Sequence, residues 1–290
     1  RPVARLGNQA YVEKYMDQPY GREAYLKQQS VSPALSVNAD AVQGPPAEGT
    51  GGLKPMSTRR AYIIILSYLS AIASAEIIIT YHDPKAGIII HGILMFLLFA
   101  HAAFIYPSNK NVANLMMTIG IAPLIRVISL STPLSSFSYI YWFLVLSIPL
   151  FASILMLRAI QGLNEEALGL VVNVRKLHWE FGIILAGFPL GLAEYYILKP
   201  EPIIESIAVQ NMVAPVLIFI VCTGLIEELI FRGLIQHNAR LVFGTPVGIL
   251  LTSILFGFLH TGNLNPLSVV FAFAVGVVYS LIRIRSGSIF

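Results

Sequence analysis

Charge is scarce in this 290-residue sequence. Asp, Glu, Lys and Arg together make up 12%, against about a quarter in an average soluble domain. With 56% hydrophobic residues and a mean hydropathy of +0.73, an ordinary soluble domain is excluded and a polytopic membrane protein is the natural class. Cysteine is nearly absent: Cys222 stands alone, so no intrachain disulfide framework can form and the redox compartment leaves no trace. No His-Glu-x-x-His helix is present, which removes the commonest two-histidine signature of a zinc peptidase. The net charge of +4 is modest, and no nucleic-acid partner is expected.

What the chain has instead is a succession of apolar runs. Runs near 61–81, 86–106, 112–130, 139–157, 181–198, 212–235, 247–260 and 267–284 mostly approach the ~20 residues that a helix needs to cross the hydrocarbon core. The expected architecture is all-α: a polytopic transmembrane helical bundle of about eight spans with a polar N-terminal tail. Residues 1–58 form that tail, ending in a Gly/Pro-rich linker after Gln43; residues 11–29 hold enough helix formers and tyrosines for a short helix or a docking segment. The start at Arg1 rather than methionine points to a processed chain, and a cleavable secretion signal is not expected. A four-span bundle would occupy 59–158, a membrane-surface connector with Trp179 at an interfacial position 159–180, and a second group of spans 181–290. Lys54, Arg59, Arg60, Lys110, Arg158, Arg175, Lys176, Arg240, Arg283 and Arg285 fall on one side of this arrangement, and only Lys85 and Lys199 on the other. By the positive-inside rule the protein is integral, multi-pass and has a cytoplasmic N-terminus, with membrane lipids as its surroundings and a ninth span expected from about Ile289.

Two spans carry ionisable groups together. From Cys222 to His237, the glutamates Glu227 and Glu228 and the arginine Arg232 interrupt an apolar helix. A charge at mid-bilayer costs at least ~2.5–3.5 kcal/mol on insertion scales, so such groups usually face the protein interior and serve a function. Glu228 and Arg232 are four residues apart and share a helix face, whereas Glu227 is turned about 100° away and must find its interaction elsewhere. Then comes Phe256-Gly-Phe-Leu-His260, with the turn residues Gly244, Thr245 and Pro246 in between. Glu227 lies seventeen residues before Gly244 and His260 sixteen after it. If a helical hairpin bends there, a rise of ~1.5 Å per residue sets both about 25 Å from the bend, level with each other. A carboxylate facing an imidazole where water is scarce is the minimum for activating a water molecule by general-base chemistry.

Glu227-Glu228-x-x-x-Arg232 followed by Phe256-x-x-x-His260, and then by Arg285-Ser286-Gly287-Ser288-Ile289-Phe290, resembles the CPBP family of intramembrane proteases, the CAAX-prenyl-protease and bacteriocin-processing group. The resemblance covers roughly residues 181–290. It implies a multi-span helical fold and hydrolysis of a peptide bond near the cytoplasmic membrane face, with a peptide or lipidated peptide as substrate. Carried onto these positions, Glu227 would be the base, Glu228 and Arg232 would hold the helix and its charge in place, and His260 would assist the water. Phe256, Asn263 and Glu194 are candidates for substrate contacts, Glu194 at an entrance. The family pattern continues with a His-x-x-x-Asn on the next helix, to which oxyanion stabilisation is ascribed. This sequence ends before it, which points to a longer protein or to a molecule without that motif. For a metal, one of the glutamates and His260 offer two ligands, short of the three that a catalytic zinc takes from protein. No cofactor is assigned, and a divalent metal such as zinc stays open.

Blander readings compete. Glu227, Glu228 and Arg232 could be an ion-pair network that only fixes packing, though two carboxylates against one arginine argue against full neutralisation. Glu76, His91, His101 and Arg126 read first as structural, with an ion pair between Glu76 and Arg126 as one example. His237 lies roughly 15 Å along the helix from Glu227 and is not expected at the site. Two further functions remain: a non-catalytic subunit of the same fold, scaffolding a larger membrane complex and clasping a membrane-protein partner with its tail, or a small transporter or channel.

Overall fold

A computed structural model describes residues 56–133, 138–171, 177–203, 206 and 208–290. The segment 11–29, read as a short helix or a docking segment, and the linker after Gln43 lie outside them, as do residues 172–176 of the connector. The described residues belong to one compact unit, Leu53–Phe290, and they are helical without strands.

The helices are α1 Thr58–Tyr81, α2 Pro84–Ile105, α3 Lys110–Ser131, α4 Tyr139–Gln161, the single turn α5 Glu165–Leu168, α6 Leu177–Leu198, α7 Val209–Phe243, α8 Thr245–Phe258 and α9 Pro266–Ser286. Their starts are legible as caps: the side chains of Ser57, Asp83, Asn109, Asn164 and Asn265 each accept a hydrogen bond from a backbone N–H of the first turn, satisfying donors that a helix start leaves unpaired. Among the described residues seven helical stretches are long and apolar enough to cross a membrane, and Gly182–Leu198 within α6 is apolar but shorter. Ile63, Ile89, Phe96, Phe104, Ile148 and Phe188 are all more than half exposed, the outward apolar surface that lipid covers. This is an integral membrane protein with an all-α polytopic bundle.

Polar side chains join the helices inside. Gln161 of α4 donates to the Asn114 carbonyl of α3 (3.2 Å) and accepts from Asn238 of α7 (2.9 Å); Gln236 of α7 donates to the Ser280 carbonyl of α9 (3.0 Å). Such bonds hold spans together where apolar surface supplies no driving force between them. The first four spans and the last three thus share one core: residues 236–243 of α7 pack on the first half of α3, and α1 packs on the turn after α8.

The expected hairpin bends at Gly244, whose φ of 81° is a left-handed conformation that favours glycine. The return helix α8 then pairs intimately with α9, because Gly276 brings that backbone against Ser253 and Gly257 sits against Val269 and Phe273. The connector begins as the turn α5, closed by the left-handed Gly169. Arg283 of α9 donates to the Glu166 and Ala167 carbonyls, 3.0 Å each. At its start, hydrogen bonds from its own backbone and from Arg158 hold the exposed Glu165 carboxyl below the usual carboxylate range.

Candidate functional site

The helix that carries the glutamates is wound unusually. In α7 the stretches Phe219–Leu225 and Glu228–Ile235 are π-helical, with the Gln236 N–H reaching the Phe231 carbonyl five residues back. Wider winding of this sort is uncommon and frequent at functional sites. Glu227, between the two π-helical stretches, and Glu228, at the start of the second, line the same cavity.

Glu228 makes the pair its spacing predicts, Oε1 lying 2.8 Å from Arg232 Nη1. The Arg232 side chain is 1% exposed, with the ring of Phe256 4.7 Å and that of Tyr279 5.4 Å from its guanidinium carbon. Between the carboxylate and two aromatic faces the charge is held in place, each face supplying up to about 2 kcal/mol when desolvated. Glu227 has no ion-pair or hydrogen-bond partner among the described residues, and its carboxylate is left to the cavity.

His260 comes just after α8 ends. Its Nδ1 lies 2.8 Å from the Phe256 carbonyl. A carbonyl only accepts, so this bond puts the proton on Nδ1 and leaves the Nε2 lone pair free. The Phe256 ring stacks at a tilt on the imidazole, centroids 4.7 Å apart, and meets Phe231 edge-on at 4.8 Å. His260, Glu227, Glu228, Glu194 and Phe256 line one cavity of about 520 Å³. Its other walls are α6 (Ile183, Gly187, Leu190, Gly191) and one face of α9, from Ser268 through Ala272, Val275 and Tyr279 to Ile282. That face follows about 21 Å of helix rise.

Of the residues singled out in the sequence, then, Glu194, Glu227, Glu228, Phe256 and His260 come together, and Arg232 stands directly behind them. Asn263 does not line the cavity: the 3₁₀ turn Thr261–Asn263 points it at α9, where its amide donates to Ser268 Oγ (2.7 Å). His237 is also outside. Tyr279 and Asn265 are additions. Tyr279 shares the three- and four-residue periodicity of the cavity face of α9, a signal present in the sequence. Asn265 accepts from Leu267 N–H (3.0 Å) and donates to the Ile197 carbonyl (2.9 Å), so it ties the helix of Glu194 to the start of α9. No group of three or more His, Cys, Asp or Glu among the described residues is arranged to hold a metal ion.

A carboxylate and an imidazole thus border one cavity of a polytopic helical protein, with a buried, ion-paired arginine behind them. Residues 209–290 match the family model described as type II CAAX prenyl endopeptidase Rce1-like. The match supports a CAAX-type intramembrane protease family for this part of the chain, in agreement with the resemblance its motifs carry. An Escherichia coli protein described as an uncharacterized 24.3 kDa protein is 31% identical over 111 residues, 37% of this chain and 50% of that protein. The chain thus spans about half the length of this curated relative. No solved structure matches.

Proposed function

We propose that the protein is an intramembrane endopeptidase in which Glu227 and His260 activate a water molecule for attack on a peptide bond. The observation that carries this reading is that the free carboxylate of Glu227 and the imidazole of His260, with its Nδ1 engaged, border the same cavity. In this mechanism one O–H of the water donates to Glu227 and the other to His260 Nε2. The oxygen attacks the peptide carbonyl as Glu227 takes the proton, which then passes to the leaving amine. Glu228 and Arg232 keep a second charge off Glu227 by neutralising each other, and Glu194 with the apolar faces of α6 and α9 receives the peptide.

The cavity wall on α9 reaches from Ser268 to Ile282, and Ser288 to Phe290 continue it at the end near Gly244 and α5. With the Lys/Arg bias placing that end in the cytoplasm, a peptide or lipidated peptide enters from the cytoplasmic side. His260 is then about 24 Å of helix rise from the turn, so the bond is cut at depth rather than at the cytoplasmic face itself. The test is cleavage of candidate peptides, with and without an attached lipid, by purified protein in nanodiscs. Cleavage by the wild type that is lost in Glu227→Gln and in His260→Ala supports the reading. Absence of cleavage together with stoichiometric copurification in a larger complex would replace it with the scaffold.

A further inference from the structure

The spans that precede the family match hold a second buried charge cluster, and it touches the site. Glu76 of α1 and His91 of α2 are both fully buried. Arg126 of α3 places Nε 2.7 and 2.9 Å from the two carboxylate oxygens of Glu76, and His91 Nε2 is 3.4 Å from one of them. The ion pair read from the sequence is thus formed. Were packing of α1 to α3 its whole purpose, the guanidinium would be spent there. Instead Arg126 Nη2 donates to the carbonyl of Leu259, the residue before His260.

That bond completes an account of the end of α8. A helix leaves its last four carbonyls without intrahelical partners. Here the Leu255 carbonyl accepts from Leu259 N–H (3.2 Å), Gly257 from His260 N–H (2.9 Å), Phe258 from Thr261 Oγ1 (2.7 Å) and Phe256 from the His260 ring. Leu259 is next, and its partner comes from a different span. α1, which carries Glu76, also packs on the Thr261–Asn263 turn.

We propose that Arg126, oriented by Glu76, is a positioning residue for His260: it fixes the end of α8 and so the height and direction at which the imidazole meets the cavity. The proposal rests on the reading of His260 as part of the water-activating pair. It assigns a role in the chemistry to spans that lie outside residues 209–290. Lysine cannot replace this arginine, because one ammonium cannot face both Glu76 oxygens and the carbonyl in the fork that a guanidinium provides.

The test is magnetic resonance of ¹⁵N-histidine-labelled full-length protein in nanodiscs, with the His260 signals assigned by their loss in His260→Gln. In the wild type they report one tautomer, protonated at Nδ1. In Arg126→Lys and Arg126→Gln the His260 signals move or split toward a tautomer mixture while those of His237 stay in place. Should Arg126→Gln fail to fold, Arg126→Lys, which keeps a counter-charge for Glu76, decides alone. His260 signals in folded Arg126→Lys that coincide with the wild type overturn the proposal. In the cleavage assay, kcat falls about a hundredfold, as a displacement on the order of 1 Å can cause, with KM within twofold; an unchanged kcat per folded molecule would likewise overturn it. Wild-type protein without activity would sink the peptidase reading and leave the resonance experiment to judge Arg126 by itself.

Discussion

At the scale of residues, two adjacent glutamates have different surroundings. Glu228 is paired with a buried arginine and Glu227 is not, so the account predicts different costs for removing each element. Glu227→Gln should lower the cleavage rate by a factor of ~10²–10⁴, the range of a lost general base, with an unchanged midpoint in thermal unfolding. Arg232→Met leaves Glu228 without its counter-charge in a low-dielectric setting and should destabilise by about 3–5 kcal/mol, read as a lowered unfolding midpoint. Adding Glu228→Gln should recover part of that loss, a coupling that a double-mutant cycle measures. The pairing of Glu228 with Arg232 was legible because four residues is a helical repeat, and the shared cavity of Glu227 and His260 was approachable because both can be counted from Gly244. Asn263 stands outside the cavity lining for a local reason: the chain turns 3₁₀ after His260 and its amide donates to Ser268.

At the scale of elements, winding and close helix packing shape the cavity. Glu227 and Glu228 line one cavity where two π-helical stretches of α7 meet, and no pattern of residue types in Cys222–His237 announces that winding, since apolar residues surround the charges on all sides. The intimacy of α8 and α9 is more readable, because small residues at helix contacts let backbones approach. Gly276 is the sharpest case: a Cβ there would lie 3.1 Å from the Ser253 Cα, backbone that cannot swing aside. Gly276→Leu should therefore cost at least the ~1–3 kcal/mol typical of overpacking, seen as earlier thermal unfolding and as faster hydrogen exchange in the turn that carries His260. An unchanged midpoint would mean that the two helices do not pack this closely.

For the whole molecule, the succession of apolar runs sufficed to read an all-α bundle, because most of the runs are about as long as a bilayer is thick. The link from Arg126 to Leu259 could not be read, as it joins residues 133 positions apart on spans whose neighbours only packing decides. Orientation is the open quantity that the charge bias predicts. In a Cys222→Ser background, Glu166→Cys should react with a membrane-impermeant maleimide only from the cytoplasmic side and Lys85→Cys only from the other. The reverse pattern would turn the molecule over and move the proposed entrance to the opposite face. The claim on which everything else depends is that Glu227 and His260 split water against a peptide bond. Its most direct measurement is cleavage in H₂¹⁸O followed by mass spectrometry of the new carboxyl terminus. The account predicts one ¹⁸O atom in the wild-type product and no product from Glu227→Gln; a product free of the label, or labelled product formed by Glu227→Gln at the wild-type rate, would contradict it.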